Sequence, residues 1–234
     1  MAKSYCWKAL RSRSRWLLGC IRAAILVWAG AAGSDLYQLR VFHNLKNLEY
    51  TTEESLDMAM TASNLLVMSS GFLQLVIGIS LAIFFACWLY RACANLWAWQ
   101  IPGVSQKPMW GVWNYVIPFW NIVKPHSFLN ELWHAPRWRE GKEPASWKSL
   151  PAPKLLNYYW ILFLVSRALE RYVRIKSDTA EDALVDDFIA KYNVYLLSDS
   201  VGLITMILMY FLVRMIDRRH QEYAQKLLSD DAAA

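Results

Sequence analysis

Three groups of side chains carry residue types and spacings with chemistry to offer. Glu131 and His134 stand three positions apart, the spacing at which di-iron carboxylate bundles present a ligand pair from one helix. That chemistry needs a second such pair and further carboxylates facing the same core. The chain has four histidines, His43, His126, His134 and His220, and they fall on segments that do not converge, so no metal site and no cofactor is expected. Arg167 and Asp199 form the second group. Each interrupts an apolar stretch, and a charge at mid-helix in a bilayer costs about 2.5 to 3.5 kcal/mol on insertion scales. Equal depth in two antiparallel spans predicts an ion pair between them, acting either as a clamp or as part of a proton or ion relay.

The third group is Arg91, Asn95, Asn121, Lys124 and Glu131, with Arg214 as a further member. Lys124 and Arg91 could hold a lipid phosphate or another anion while Asn121 donates hydrogen bonds. Alternatively Arg91 pairs with Glu131 and locks a short helix in place, or the surrounding tryptophans cage a quaternary ammonium. No Ser/His/Asp set, P-loop, G-x-G-x-x-G or H-E-x-x-H occurs, so no catalytic residue is assigned and the chain is not expected to be an enzyme.

The elements that must position these groups are those of a membrane protein. Of 234 residues, 56% are hydrophobic and 19% charged, against about 45 to 50% and about 25% in soluble domains. This excludes a disordered chain, a collagen-like repeat and a small disulfide scaffold. Mean hydropathy is only +0.17, because tryptophan and tyrosine score as mildly polar and charged connections dilute the apolar runs. No charged side chain occurs from Met58 to Tyr90, and a run of about 18 or more such residues is a spanning candidate. Tolerating isolated charges, including Arg22 and Asp35 near the ends of the first, gives four spans at about 16–36, 65–90, 153–172 and 195–215.

Orientation follows from Lys and Arg near span ends. The N-terminal segment, the connection from Arg91 to Lys154 and the tail from Arg214 together hold seventeen basic residues; the other two connections hold five basic and nine acidic ones. Both termini are therefore expected in the cytoplasm. The net charge of +6 reads as an orientation signal and an attraction to anionic inner-leaflet lipids, with no nucleic acid implied. A competing reading makes the start a signal peptide, cleaved near Ala29-Gly30-Ala31, though Arg22 interrupts its apolar region. The four cysteines include no C-x-x-C pair and read as small buried hydrophobes.

Along the chain, Thr51 and Glu54 show capping-box spacing and begin a helix expected to continue into the second span. Asp178 and Glu181 repeat the device ahead of an apolar stripe from Leu184 to Tyr192, predicting a second outer amphipathic helix on the bundle or membrane surface. Nine of the 13 tryptophans lie between Trp88 and Trp147. Tryptophan favours the headgroup level, where its ring is in an apolar setting and its N–H finds a polar partner. Residues 91–152 are therefore expected to form a cytoplasmic interfacial segment, with Met109 to Val123 as a re-entrant or interfacial element. Lys124-Pro125 predicts a helix start with proline in the first turn. Phe128, Leu129, Leu132 and Trp133 fall on its apolar face and Ser127, Asn130, Glu131 and His134 on the polar one, an in-plane amphipathic helix. Arg137 to Lys154 reads as a polar linker, and the tail helix after Arg214 as solvated.

The run Trp88-x-x-Arg91-x-x-x-Asn95, then Lys107-Pro108-x-Trp110-x-Val112, Pro118-x-x-Asn121-x-x-Lys124-Pro125 and Glu131-Leu132-Trp133, resembles the bacterial membrane family known as domain of unknown function 4328. Leu156-Asn157-Tyr158-Tyr159-Trp160 and Arg214-x-Ile216-x-x-Arg219-x-Gln221 are similar to that family's pattern too, with Tyr158 and Tyr159 where it usually shows paired tryptophans. The resemblance covers about Trp88 to Gln225 and implies a multi-span bacterial inner-membrane protein without an established activity. The expectation is thus a single all-α membrane domain over 1–234. It would be a non-enzymatic component that engages lipid or a membrane-protein partner; the alternative is a small transporter or ion- or proton-conducting protein using Arg167 and Asp199.

Overall fold

The computed structural model describes residues 6–50, 52–140, 146–176 and 184–233. Among these the chain is helical throughout: α1 (Arg11–Lys46), α2 (Glu53–Ala98), α3 (Pro108–Trp113), α4 (Trp120–His134), two 3-10 segments (Ala135–Glu140 and Ser146–Ser149), α5 (Lys154–Lys176) and α6 (Val185–Ala233). Three helices are long and apolar enough to cross a membrane: Arg11–Lys46, Glu53–Ala98 and Val185–Asp230 within α6. α5, the expected third span, is not among them, since Tyr158, Tyr159, Arg167, Glu170 and Arg171 lower its hydropathy. The apolar side chains of α2 are largely uncovered, with Leu65, Met68, Phe72, Leu75, Ile79 and Ile83 all exposed. An apolar surface of that extent marks an interaction with membrane or protein.

At about 1.5 Å per residue, the 46 residues of α2 reach roughly 70 Å, against a hydrocarbon core of about 30 Å. Its first turns are therefore the expected outer helix, continuous with the span. Thr52 caps it, its Oγ1 accepting the Ser55 N–H at 3.2 Å; Thr51 lies outside the described residues. α6 is likewise continuous over 49 residues. The apolar stripe from Leu184 to Tyr192 is thus its first turns, where a separate surface helix was expected, because no glycine or proline breaks the pattern before Tyr195. Asp178 and Glu181 lie outside the described residues. Asp187 instead reaches back to the Leu184 N–H at 3.0 Å, the returning half of a capping box.

Helices α1 and α2 both stop in Schellman motifs without glycine. After α2, the Gln100 N–H bonds the Trp97 carbonyl (3.1 Å) and the Ile101 N–H the Leu96 carbonyl (3.3 Å), with Gln100 at φ 52°. The apolar contact of the motif is supplied by Ile101 and Leu96, both buried. Leu48 plays the part of Gln100 after α1, at φ 55°. A left-handed residue with a Cβ costs about 1 kcal/mol. Gln100→Gly is therefore expected to stabilise the chain by up to about 1 kcal/mol, read as a higher thermal midpoint in detergent. An unchanged or lower midpoint would show that the side chain contributes more than its backbone strain costs.

The chain resolves into two compact units. One comprises Met1–Cys20, Leu81–Trp160 and Leu208–Ala234, and the other Ile21–Ser80 and Ile161–Ile207. In the first, the end of α2 is fully packed, with Trp88, Leu89, Ala92, Cys93 and Leu96 buried, as are Leu17 of α1, Phe128 and Leu132 of α4, and Ile216 of α6. α3 approaches α4 at Gly111, where a Cβ would fall 2.4 Å from Cζ of Phe128; only glycine fits without displacing that buried ring. In the second unit, Trp28 of α1 lies over Gly202 of α6, where a Cβ would come within 2.4 Å of its Nε1. Phe42 stacks on Phe188 with centroids 5.3 Å apart.

Candidate functional site

The residues expected to form one anion site are distributed by the structure over three places. Arg91 and Asn95, one turn apart on α2, hold the N-terminal strand of chain. The Arg91 guanidinium donates to the Cys6 carbonyl. Asn95 Oδ1 accepts the Lys8 N–H at 3.2 Å, and its Nδ2 donates to the Lys8 carbonyl at 3.0 Å. This pair of bonds satisfies the backbone of Lys8 as a strand partner would, which accounts for burying an asparagine.

Glu131 takes no part in that clamp. It accepts from the backbone N–H of Ser105 at 2.8 Å and from the Ser105 hydroxyl. Burial pushes its carboxyl above the ordinary glutamate value, while the Ser105 bonds and Lys148 oppose the shift. The neighbouring Gln106 completes a junction: its carbonyl accepts from Trp97 Nε1 at 2.7 Å and from the Cys93 thiol at 3.4 Å, and its side chain accepts from Asn114. Trp147 Nε1 adds a bond to the Pro102 carbonyl at 3.2 Å. The connection between α2 and α3 is thus tied to α2, α4 and the Ser146–Ser149 turn by side chains of which the sequence analysis singled out Glu131 as a site residue and not Trp97, Gln106, Asn114 or Trp147. Pro102-Gly103, with Gly103 at φ 84°, was the available signal of a tight turn there.

α4 also differs from expectation at both ends. It starts at Trp120, placing Pro125 inside the helix rather than at its first position. The turn at Phe119, at φ 65°, begins the helix without a side-chain cap. Half of its predicted polar face is covered, Glu131 and His134 being buried while Ser127 is exposed. The helix therefore packs through residues of both faces, with Phe128, Leu129 and Leu132 buried as well. His134 Nε2 bonds the Pro151 carbonyl at 3.1 Å, and burial holds its imidazole below the ordinary value.

The tail helix, expected to be solvated, supplies the cap for α4. The last carbonyls of a helix have no partner within it. Arg219 Nη1 donates to the Trp133 carbonyl at 3.1 Å and His220 Nε2 lies 3.1 Å from that of Leu132. The Arg219 guanidinium also covers the Trp133 ring, 3.2 Å from its centroid, a stacked cation–π contact. Tyr223, packed against Trp99 at 4.9 Å, accepts from Trp138 Nε1 at 2.8 Å. Asp217 accepts from Ser14 at 2.7 Å and from Gln221 at 2.8 Å. Arg214 itself is exposed on α6, 5.7 Å from the Tyr210 ring centroid.

Asn121 and Lys124 are left outside this network, on an exposed apolar surface. From Met109 to Val123 no residue is charged, and Trp110, Trp113, Val116, Phe119, Trp120 and Val123 are all exposed, Phe119 at 84%. Lys124 Nζ stands 5.9 Å from the Trp120 ring centroid, at the end of this stretch. Trp160 Nε1 ties it to the bundle through the Ile122 carbonyl at 3.0 Å.

Arg167 and Asp199 do not meet. Arg167 turns to Glu170, three residues on along α5, at 2.8 Å. Asp199 accepts from Gln74 Nε2 of α2 at 2.9 Å, with Asp35 of α1 beside it. The expected pair is therefore not formed: a carboxylate on its own helix engages Arg167, at the i,i+3 spacing where helical side chains are neighbours.

These features define a class: an all-helical protein with three membrane-length helices and an aromatic surface beside a hydrogen-bonded helix junction. Residues 52–218 match the family model described as Domain of unknown function (DUF4328), and the chain belongs to that family. The match takes in α2 from its cap, well before Trp88, where the resemblance in the sequence began. No curated protein matches the chain, and no solved structure does.

Proposed function

We propose that this is a non-enzymatic, multi-pass protein of a bacterial inner membrane, with both termini in the cytoplasm. Its Met109–Val123 surface is seated in the inner leaflet, where it engages anionic lipid or a membrane-protein partner. In this reading α5 is the fourth crossing, and its Arg167–Glu170 pair reduces the cost of two charges in the span. The distribution of basic residues sets the orientation.

The observation that carries the reading is the exposed, uncharged aromatic stretch ending in Lys124. In water such a surface would be a liability. At the headgroup level the rings have an apolar setting, the indole N–H groups have polar partners, and the ammonium meets a lipid phosphate. Lys124 is exposed, so Lys124→Ala leaves the fold intact. Protein extracted gently from the membrane is expected to retain anionic phospholipid above the bulk membrane proportion by mass spectrometry, with Lys124→Ala losing that excess several-fold. Equal retention by the two proteins would overturn the lipid reading.

A further inference from the structure

We propose that Asp35 of α1 and Asp199 of α6 jointly hold a single proton, making a proton-binding site between two of the membrane-length helices. Asp35 is only 5% exposed, and the contacts that flank it, Trp28 over Gly202 and Phe42 on Phe188 and Tyr192, set its carboxyl against that of Asp199 between α1 and α6. An ionised carboxyl group can only accept, so the contact requires a proton between the two. The surrounding donors divide the roles. Asp199 Oδ1 accepts from Gln74 Nε2 at 2.9 Å, as an ionised group would. Asp35 Oδ2 is buried and receives no donor among the described residues, the situation of a neutral acid. The proton therefore resides on Asp35, and its hydroxyl donates to Asp199.

The facing groups offer no substitute for that proton. Tyr192 and Tyr195 of α6 lie near Asp35, and Glu170 of α5 lies near Asp199 as a like charge. Lys191 stands over the Tyr195 ring, 5.9 Å from its centroid, and Arg167 is engaged by Glu170. No Lys or Arg among the described residues forms an ion pair with either aspartate. One turn beyond Asp35, the side chain of Gln38 donates to Asn64 Oδ1 at 3.4 Å, while its own Oε1 is buried without a donor. The locality is therefore rich in acceptors. Deprotonation would leave two carboxylates in one site, which like-charge repulsion strongly disfavours. Uptake is simple addition of one proton from water to the Asp35 carboxylate, with no other bond made or broken.

The site stands apart from the lipid reading and is tested separately, by infrared spectroscopy on the full chain in lipid nanodiscs. At neutral pH the wild type is expected to show the carbonyl stretch of a protonated carboxylic acid, shifted by isotope labelling of aspartate. The band should vanish in Asp35→Asn and survive in Asp199→Asn, where Asp35 keeps its proton. In the wild type it should also disappear as the pH is raised. Absence of the aspartate band from folded wild-type protein would overturn the proposal whatever the variants do, as would its survival in Asp35→Asn.

Discussion

Trp88→Ala is expected to cost about 3 to 5 kcal/mol of stability, the range for emptying the site of a buried large aromatic. Trp88 is 0% exposed, and its ring stacks on Phe85 with centroids 5.8 Å apart. Phe85 in turn meets the edge of Tyr115 at 5.3 Å, so the cavity would undermine the wall between α2 and the segment after α3. Trp88→Phe separates packing from hydrogen bonding. The indole Nε1 is buried with no acceptor among the described residues, and an unsatisfied buried donor costs about 1 to 3 kcal/mol. Phenylalanine removes that penalty while keeping much of the apolar contact, so Trp88→Phe should lie far closer to wild type than Trp88→Ala. Thermal midpoints in detergent, with the membrane abundance of each variant, measure both. If Trp88→Phe were as damaging as Trp88→Ala, the indole N–H would have a partner that matters. Trp113→Ala serves as the contrast: its ring is exposed, and truncation should leave the midpoint within about 1 kcal/mol of wild type.

That contrast shows what composition could and could not reveal. Clustering of tryptophans between Trp88 and Trp147 pointed to the membrane interface, and Trp110, Trp113 and Trp120 fit an interfacial role by their exposure. Trp88 and Trp147 are core residues instead, and Trp97 and Trp147 spend their N–H groups on loop carbonyls. Residue type gives the preference for an apolar ring with a polar N–H, but a lipid headgroup and a buried carbonyl satisfy it equally. Only the fold decides between them.

Helix existence was legible wherever charge-free runs were long, as in α2. Helix ends were not: Leu48 and Gln100 adopt left-handed conformations normally signalled by glycine, and neither residue announces a stop. The candidate site was legible by residue and not by grouping. Arg91, Asn95 and Glu131 are buried polar groups at the end of the bundle, yet their partners are backbone atoms of Cys6, Lys8 and Ser105, with the Ser105 hydroxyl besides. Backbone carries no sequence signature, so side-chain arithmetic paired these residues with one another. Asp35 was missed for the converse reason. Near a predicted span end it could reach water, and nothing in its neighbours along the chain showed that α6 would bring Asp199 against it.

His220 should give the folded chain an acid sensitivity that a neutral replacement removes. The imidazole is 2% exposed, lies against Trp99 at 5.4 Å and spends Nε2 on the Leu132 carbonyl. Nδ1 is buried without a partner, so protonation there would create an unpaired charge. Burial accordingly lowers its pKa from 6.5 to about 4. Above pH 6.5 neither the folded nor the unfolded chain binds this proton, and the site contributes no slope. As the pH falls from 6.5 toward 4, the unfolded chain takes up the proton and the folded chain does not, so stability falls; below about 4 both are protonated and the loss levels off. At about 1.4 kcal/mol for each pH unit of the gap, the full loss approaches about 3 kcal/mol. His134 adds to the trend, its imidazole also being held low. Glu131 and Asp217 oppose it: burial raises both carboxyls, so their folded forms bind protons above the ordinary carboxylate range. They contribute stability at low pH that is lost as pH rises through their folded values. These opposing slopes make the difference between two proteins the decisive measurement. Glutamine places an amide nitrogen where Nε2 stands and cannot ionise, so His220→Gln keeps the cap on α4. Its midpoint should track wild type above pH 6.5 and pull ahead as the pH drops toward 4. Parallel curves throughout that interval would mean that the folded protein accommodates the charged imidazole, and that the junction between α6 and α4 opens locally to water before the chain unfolds.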